Sequence, residues 1–284
     1  MGGPLRVGLI GAGIGQSKSP LLHMAEARAQ GFALDYRLID LQARGLDAEA
    51  LPSLLAEVEA AGFAGVNVTH PCKQRVIPLL DALSEEARAL GAVNTVVLRD
   101  GRRVGHNTDW SGFLESFRRG LPGAAVGEVL QLGAGGAGAA VAQAALRLGV
   151  GRLWLYDAAP GRAVALAAAL NDRAGRPFAA VAADAAACLP GVDGLINATP
   201  MGMADHPGLP VDPAGLTSRH WVAEIVYFPL ETALLAAARA RGCRVLDGGG
   251  MAVFQAAEAF RLFTGRTADA GRMAACFRAA VGAG

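Results

Sequence analysis

The run Gly133-Ala134-Gly135-Gly136-Ala137-Gly138 has G-x-G-x-x-G spacing, follows the apolar stretch Val129–Leu132 and opens a helical pattern that reaches Leu148. In that context each glycine has a physical task. Gly133 permits a tight turn, Gly135 lets the backbone approach a pyrophosphate, and Gly138 lets helix and strand pack closely. Gly136 and Ala137 start the helix, where free N–H groups favour an anion. The next apolar stretch ends at Asp157, 24 residues beyond Gly133, close to the roughly 20 expected for an acid that accepts hydrogen bonds from an adenine ribose. A carboxylate there repels a 2′-phosphate. It is followed by Ala158, Ala159, Pro160 and Gly161, with Arg162 as the only nearby cation. Arg162 is equally explained as a first-turn residue of the following helix. NAD is therefore expected over NADP. The plain alternative is a strand–helix turn that binds nothing, and the acid at the right separation argues against it.

A second set of polar residues precedes this one. Asn67-Val-Thr69-His-Pro-Cys-Lys73 puts an amide, a hydroxyl and a lysine just past an apolar stretch, and Gly91-Ala-Val-Asn94-Thr95 and Gly105-His-Asn107-Thr108-Asp109 do the same. The carboxyl edge of a strand is where α/β proteins place ligands. Amides, hydroxyls, one lysine and one aspartate suit a small polyhydroxylated molecule. Each residue alone has a blander explanation. Lysine is mostly a surface residue, and Asp109 can cap a helix over Trp110–Arg118. His70 and His106 read as loop residues beside the motifs, and Cys72 as packing.

The elements that must position these residues are legible as α/β alternation. Strands are expected at Arg6–Ile10, Asp35–Asp40, Gly65–Thr69, Thr95–Arg99 and Arg103–His106, the last two joined across Asp100-Gly101. Helices are expected at Pro20–Gln30, Ala48–Ala61, Gln74–Leu80 and Ser84–Leu90. After Val129–Leu132, strands are expected at Arg152–Asp157, Gly194–Asn197, Trp221–Val226 and Arg244–Leu246. A helical region then runs from Met251 to about Ala280. Gly120-Leu-Pro-Gly123 looks like a connector, so two domains meet near residues 107–125.

Composition narrows the function classes. At 284 residues, two cores are the natural expectation. A net charge of +1 gives no field for nucleic acid or an anionic membrane. Cys72, Cys188, Cys243 and Cys276 are scattered, without C-x-x-C spacing, so no metal site is expected, and free thiols in a reducing cytoplasm are. Val129–Leu146 carries no charge, but its glycines and glutamines split it into strand, turn and helix, so it is not read as a membrane span.

The polar runs resemble the shikimate dehydrogenase family along essentially the whole chain. Asn67–Lys73 matches N-V-T-x-P-x-K, Gly91–Thr95 matches G-A-V-N-T, Gly105–Asp109 matches G-x-N-T-D, and Asn197–Met203 matches N-A-T-P-x-G-M. Ser17-Lys-Ser19-Pro20 matches S-x-S-P, and Asp247-Gly-x-x-Met251 with Gln255 matches the C-terminal signature. The resemblance implies an α/β substrate domain with a mostly parallel sheet (1–110), a Rossmann-type dinucleotide domain (111–246) and C-terminal helices that return to the first domain (247–284). It implies that Ser17 and Ser19 hold a carboxylate, and that Asn67, Thr69, Asn94, Thr108 and Gln255 hold ring hydroxyls. Lys73 and Asp109 would flank the alcohol that is oxidised. Thr199, Met201, Val226, Gly248 and Met251 would line the nicotinamide end of the cofactor cleft. Elementary chemistry agrees, because hydride loss from an alcohol leaves a hydroxyl proton for a neutral lysine to take. Oxidation is then expected to run faster at alkaline pH.

Asp157, together with the likeness of Gly8–Gly13 and Glu224–Thr232, inclines the resemblance to the NAD-linked quinate/shikimate branch. Quinate-using members often carry threonine where Ser19 stands, so shikimate is expected ahead of quinate. The substrate class is a cyclohexane or cyclohexene polyol carboxylate, and the chain is expected to be a monomer or homodimer. Alternatives are the NADP-dependent biosynthetic enzyme, an aminoshikimate dehydrogenase and a non-catalytic NAD sensor. A folate-type dehydrogenase leaves the Ser17–Ser19 loop and the Gly105–Asp109 motif unexplained.

Overall fold

The computed structural model describes residues 3–282. The chain forms two compact units, one running up to Thr108 and resuming at Gln255, the other Asp109–Phe254.

The first unit contains strands β1 (Leu5–Gly11), β2 (Leu34–Asp40), β3 (Phe63–Val68), β4 (Ala82–Leu83), β5 (Thr95–Arg99) and β6 (Arg102–His106), with helices α1 (Ser19–Ala29), α2 (Leu51–Ala60), α3 (Cys72–Arg75) and α4 (Glu85–Leu90). The sheet order is β2-β1-β3-β5-β6-β4. Pairs β1–β2, β1–β3 and β4–β6 are parallel, whereas the β5–β6 hairpin enters antiparallel to β3. Asp100, at φ 54°, and Gly101, at φ 71°, form its turn, as the Asp-Gly pair predicts. One face is covered by Leu51, Leu54, Leu55 and Val58 of α2 and Ala87 of α4. The expected helix Gln74–Leu80 is instead α3 followed by a 3-10 turn at Ile77–Leu79. Pro78 has no N–H to continue an α-helical ladder.

The second unit holds α5 (Asp109–Gly120), β7 (Glu128–Leu132), α6 (Gly136–Leu148), β8 (Arg152–Tyr156), α7 (Pro160–Ala174), β9 (Ala179–Val181), α8 (Ala185–Cys188), β10 (Gly194–Asn197), β11 (Trp221–Glu224), α9 (Ala233–Ala240) and β12 (Arg244–Leu246). All pairings are parallel, in the order β12-β11-β10-β7-β8-β9. Such a sheet is covered on both faces, which explains the near-continuous apolar strands. Helices α5, α6 and α7 supply one core, and α8 and α9 the other. Strand order reverses between β7 and β10, the switch point at which doubly wound sheets open a crevice.

The final helical region divides into α10 (Gly249–Thr264) and α11 (Ala270–Val281). Gly265, at φ 71°, ends α10, and the Asp269 side chain accepts from Arg272 N to start α11. The first turns of α10 give Met251 to the second unit's core. Its later turns give Ala259, Phe260 and Phe263 to the first unit, against Val7, Leu9, Tyr36 and Val97. Arg272 of α11 pairs with buried Glu26 of α1 at 2.7 Å. The compact units accordingly divide at 108/109 and 254/255. Gly120–Gly123 lies within the second unit, because α5 buries Phe113, Leu114 and Phe117 there.

Candidate active site

In the first unit one sheet edge collects the polar runs. The carboxyl ends of β1, β3 and β6 and the amino end of β5 lie together, because Ile10 pairs with Val68, Asn67 with Thr95, and Thr95 with His106. Gly11 is needed here, since a Cβ would sit 2.3 Å from Thr69 Cγ2. Thr69 N donates to Ile10 O and Ala12 N to His70 O, tying the two strand ends.

The loop after β1 is organised by Asp40, at the end of β2. Its carboxylate accepts from Gly13 N and Ile14 N at 2.9 Å and from Gln42 N at 3.0 Å. These donors hold the Asp40 carboxyl below the ordinary carboxylate range, against a desolvation that is the largest single influence and raises it. Ser17 N then donates to Ile14 O, and Ser19 N to Ser17 Oγ. Both serines are half-buried, Ser19 as the first residue of α1.

A buried chain of hydrogen bonds runs beneath this edge. Tyr36 Oη donates to Asn67 Oδ1 at 2.9 Å. Asn67 Nδ2 donates to Thr95 Oγ1 and Asn94 O. Thr95 Oγ1 donates to Asn94 Oδ1, and Asn94 Nδ2 donates to Thr108 Oγ1 at 2.9 Å, while Thr108 N returns to Asn94 Oδ1 at 2.8 Å. Ser19 also hydrogen-bonds the Tyr36 phenol, whose proton burial holds well above its usual range. Both amide hydrogens of Asn67 are thus committed. What it has left to offer a ligand is one lone pair on Oδ1.

Lys73 stands half-buried on α3, anchored by Val93 N donating to its carbonyl. Neighbouring Cys72 is fully buried in the core and burial pushes its thiol up, so it packs. His106 closes β6, and burial lowers it below the usual imidazole range despite the carboxylates of Glu258 and Glu86. Exposed His70 precedes Pro71 in a cis peptide. Gln255 lies half-buried on α10.

In the second unit Asp109 opens α5 and is buried. Tyr227 lies within its electrostatic reach. Desolvation first, and Asp109 second, push that phenol up. The glycine turn is built as its spacing demands. Gly133 has φ 93°, and a Cβ on it would meet Ala198 O at 2.6 Å; one on Gly138 would meet Gly133 O at 2.3 Å. Buried Gln131 clamps the turn by donating to both Gly133 O and Gly138 O. No atom would lie within 4 Å of a Cβ on Gly135 or Gly136. That open cradle, at the amino end of a 13-residue helix, fits a pyrophosphate. Asp157 follows β8 by one residue; it accepts from Ala134 N and Ala159 N at 2.8 Å and retains lone pairs for hydroxyls. Arg162 is exposed in the first turn of α7.

At the end of β10, Thr199 donates from N and Oγ1 to Asn197 Oδ1, and Met201 N donates to Thr199 Oγ1. Val226 is buried beside Gly248, where a Cβ would lie 2.4 Å from Val226 O. Met251, 8% exposed, is packed into the core with Phe113 and Phe117 of α5. Among the described residues no group of three or more His, Cys, Asp or Glu could hold a metal ion, and no helix is long and apolar enough to cross a membrane. Sequence reasoning missed Tyr36, Asp40, Gln131 and Glu224 as organising residues.

Comparisons with known proteins agree with this architecture. Residues 9–96 match the shikimate dehydrogenase substrate binding domain, and residues 248–275 the shikimate 5′-dehydrogenase C-terminal domain. A shikimate dehydrogenase (NADP(+)) of Streptomyces avermitilis is 58% identical over 95% of this chain and 93% of its own. A quinate/shikimate dehydrogenase (NAD(+)) of Corynebacterium efficiens is 50% identical over 95% and 96%. The solved quinate dehydrogenase from Corynebacterium glutamicum in complex with NAD superposes with a TM-score of 0.91, at 48% identity over 97% of this chain and 99% of that one. With relatives this similar along nearly its whole length, the chain belongs to the shikimate dehydrogenase family.

Proposed function

We propose that this protein reversibly oxidises shikimate, and less readily quinate, to the 3-dehydro ketone with NAD. The observation that carries the reading is the polar edge of the first sheet, where Asn94 and Thr108 are locked together beside the helix that bears Lys73. Ser17 and Ser19 hold the substrate carboxylate, while Thr69, Asn94 and Thr108, with Asn67 and Gln255, hold ring hydroxyls. The amine of Lys73 takes the proton of the reacting hydroxyl and returns it in reduction, and Asp109 orients that amine. Bound nicotinamide supplies the hydride acceptor. The carbon loses a hydride, the oxygen loses a proton, and a carbonyl remains.

Gly133, Gly135, Gly136, Ala137 and Gly138 receive the pyrophosphate, and Thr199, Met201, Val226, Gly248 and Met251 border the nicotinamide end. Asp157 supports NAD over NADP, because its free lone pairs accept from ribose hydroxyls and repel a 2′-phosphate. Ala158 and Ala159 offer a phosphate nothing, and Arg162 is exposed. The name of the Streptomyces relative favours the second reading, NADP. Initial rates for shikimate and quinate, each with NAD and with NADP, separate the two. Shikimate with NAD is expected to give the largest kcat/KM. A larger value with NADP overturns the cofactor reading, and no turnover in any combination overturns the function.

A further inference from the structure

Glu224 is the last residue of β11 and is 1% exposed. Its Oε1 accepts from Asn197 Nδ2 at 2.9 Å, Ile225 N at 3.0 Å and Val226 N at 3.1 Å. Its Oε2 accepts from Asn197 Nδ2 at 3.0 Å and from Thr232 Oγ1 at 3.3 Å. These four donors come from three pieces of the crevice rim. Asn197 Nδ2 also donates to Met201 O at 3.0 Å, and Asn197 Oδ1 holds Thr199 through two hydrogen bonds. Thr232 caps α9 by accepting from Leu235 N. Gly202, at φ 105°, packs its Cα against Thr232, where a Cβ would come within 3.2 Å of Cγ2. One carboxylate therefore gathers three segments. They are the loop after β10 (Thr199–Gly202), the strand end at Ile225–Val226, and the start of α9. Two of these are segments that the proposed function places at the nicotinamide.

We propose that Glu224 is a positioning residue for the dinucleotide, holding the Thr199–Met201 and Ile225–Val226 segments at the spacing that the nicotinamide end requires. The inference rests on the dinucleotide-binding reading given above. Glu224 touches neither substrate nor cofactor; it acts through Asn197, Thr232 and two backbone amides. A neutral side chain fits the pocket electrostatically, since burial pushes the Glu224 carboxyl up to about 7 even against these donors. Glutamine keeps one acceptor oxygen for Ile225 N and Val226 N. Its amide turns a donor toward Asn197 Nδ2, a contact between two donors.

The test uses the full chain as wild type, E224Q and E224A, with NADH, NAD and NADPH titrated by fluorescence and calorimetry, steady-state kinetics and thermal melting. For E224A, Kd and KM for the dinucleotide are expected to rise at least about tenfold, with the KM for shikimate within about twofold of wild type. E224Q is expected to fall between, at about threefold. Dinucleotide affinities of both variants within twofold of wild type, or a shikimate KM that moves as far as the dinucleotide KM, overturn the proposal. If E224A does not fold, E224Q alone decides by the same criteria. Wild-type protein that binds none of NAD, NADH and NADPH refutes the underlying functional reading instead, so the two failures are distinguishable.

Discussion

His23, on α1, is wholly buried, and neither ring nitrogen has a hydrogen-bond partner. Its ring centroid lies 4.9 Å from that of Tyr36 and 6.0 Å from those of Phe260 and Phe263. Burial among these rings drives the imidazole down to about 3, from an ordinary 6.5. The folded protein thus refuses a proton that the unfolded chain accepts below pH 6.5, so stability falls as pH drops through that window. The slope is about 1.4 kcal/mol per pH unit between the two values, so the loss is roughly 3 kcal/mol by pH 4.5 and roughly 4 kcal/mol near pH 3. His23→Leu removes the titrating group. It also removes two unpartnered polar atoms, while giving up ring contacts of about 0.5–1.5 kcal/mol, so its stability at pH 7.5 should lie near that of wild type. Urea denaturation of both proteins from pH 7.5 to 4.5 gives the difference directly, and contributions from Glu26 and other carboxylates cancel. The variant should gain on wild type steadily below pH 6.5. Two curves that stay parallel throughout would show that His23 is not held neutral by burial.

Replacing Lys73 by Ala should lower kcat by about 10²–10⁴ with little change in KM, the usual scale for a lost general base; a kcat near wild type rules out its proposed role. Tyr36→Phe leaves Asn67 Oδ1 without its buried donor, so denaturant unfolding should show a loss of about 1–3 kcal/mol. Its shikimate KM should rise while the dinucleotide KM stays constant. Asp157→Ser should raise the NADP-to-NAD ratio of kcat/KM by about tenfold or more; an unchanged ratio in steady-state assays removes Asp157 as the discriminating group.

Glycine spacing and the short polar runs were readable in the sequence because their chemistry is local. Gly133 and Gly138 meet each other across one turn, and Asn94 lies next to Thr95. The organising residues are a different case. Tyr36 sits in a strand whose burial alternates and reads there as core, yet its hydroxyl serves Asn67, 31 residues away. Glu224 terminates an apolar strand, and its acceptors matter only because register sets it opposite Asn197. Gln131 lies in a run of buried aliphatics and clamps a turn two and seven residues on. No periodic signal marks a polar side chain whose partners come from another strand, as for Tyr36 and Glu224, or one buried in an apolar run, as for Gln131. The short strands β4 and β9 escaped for a related reason, since two or three residues carry no period. The break at Gly265 was hidden inside a continuous helical pattern on both sides.

Because α10 and α11 complete the first core, that unit is assembled from two segments, with the second unit inserted between them. Val7, Leu9 and Tyr36 are made before the second unit, yet Phe260 and Phe263, which cover them, are made only after it. During vectorial synthesis the inserted unit is complete first and can close on itself, whereas one face of the first sheet stays bare until α10 has been made. Damage to α10 would thus be felt in the core that Val7, Leu9 and Tyr36 began.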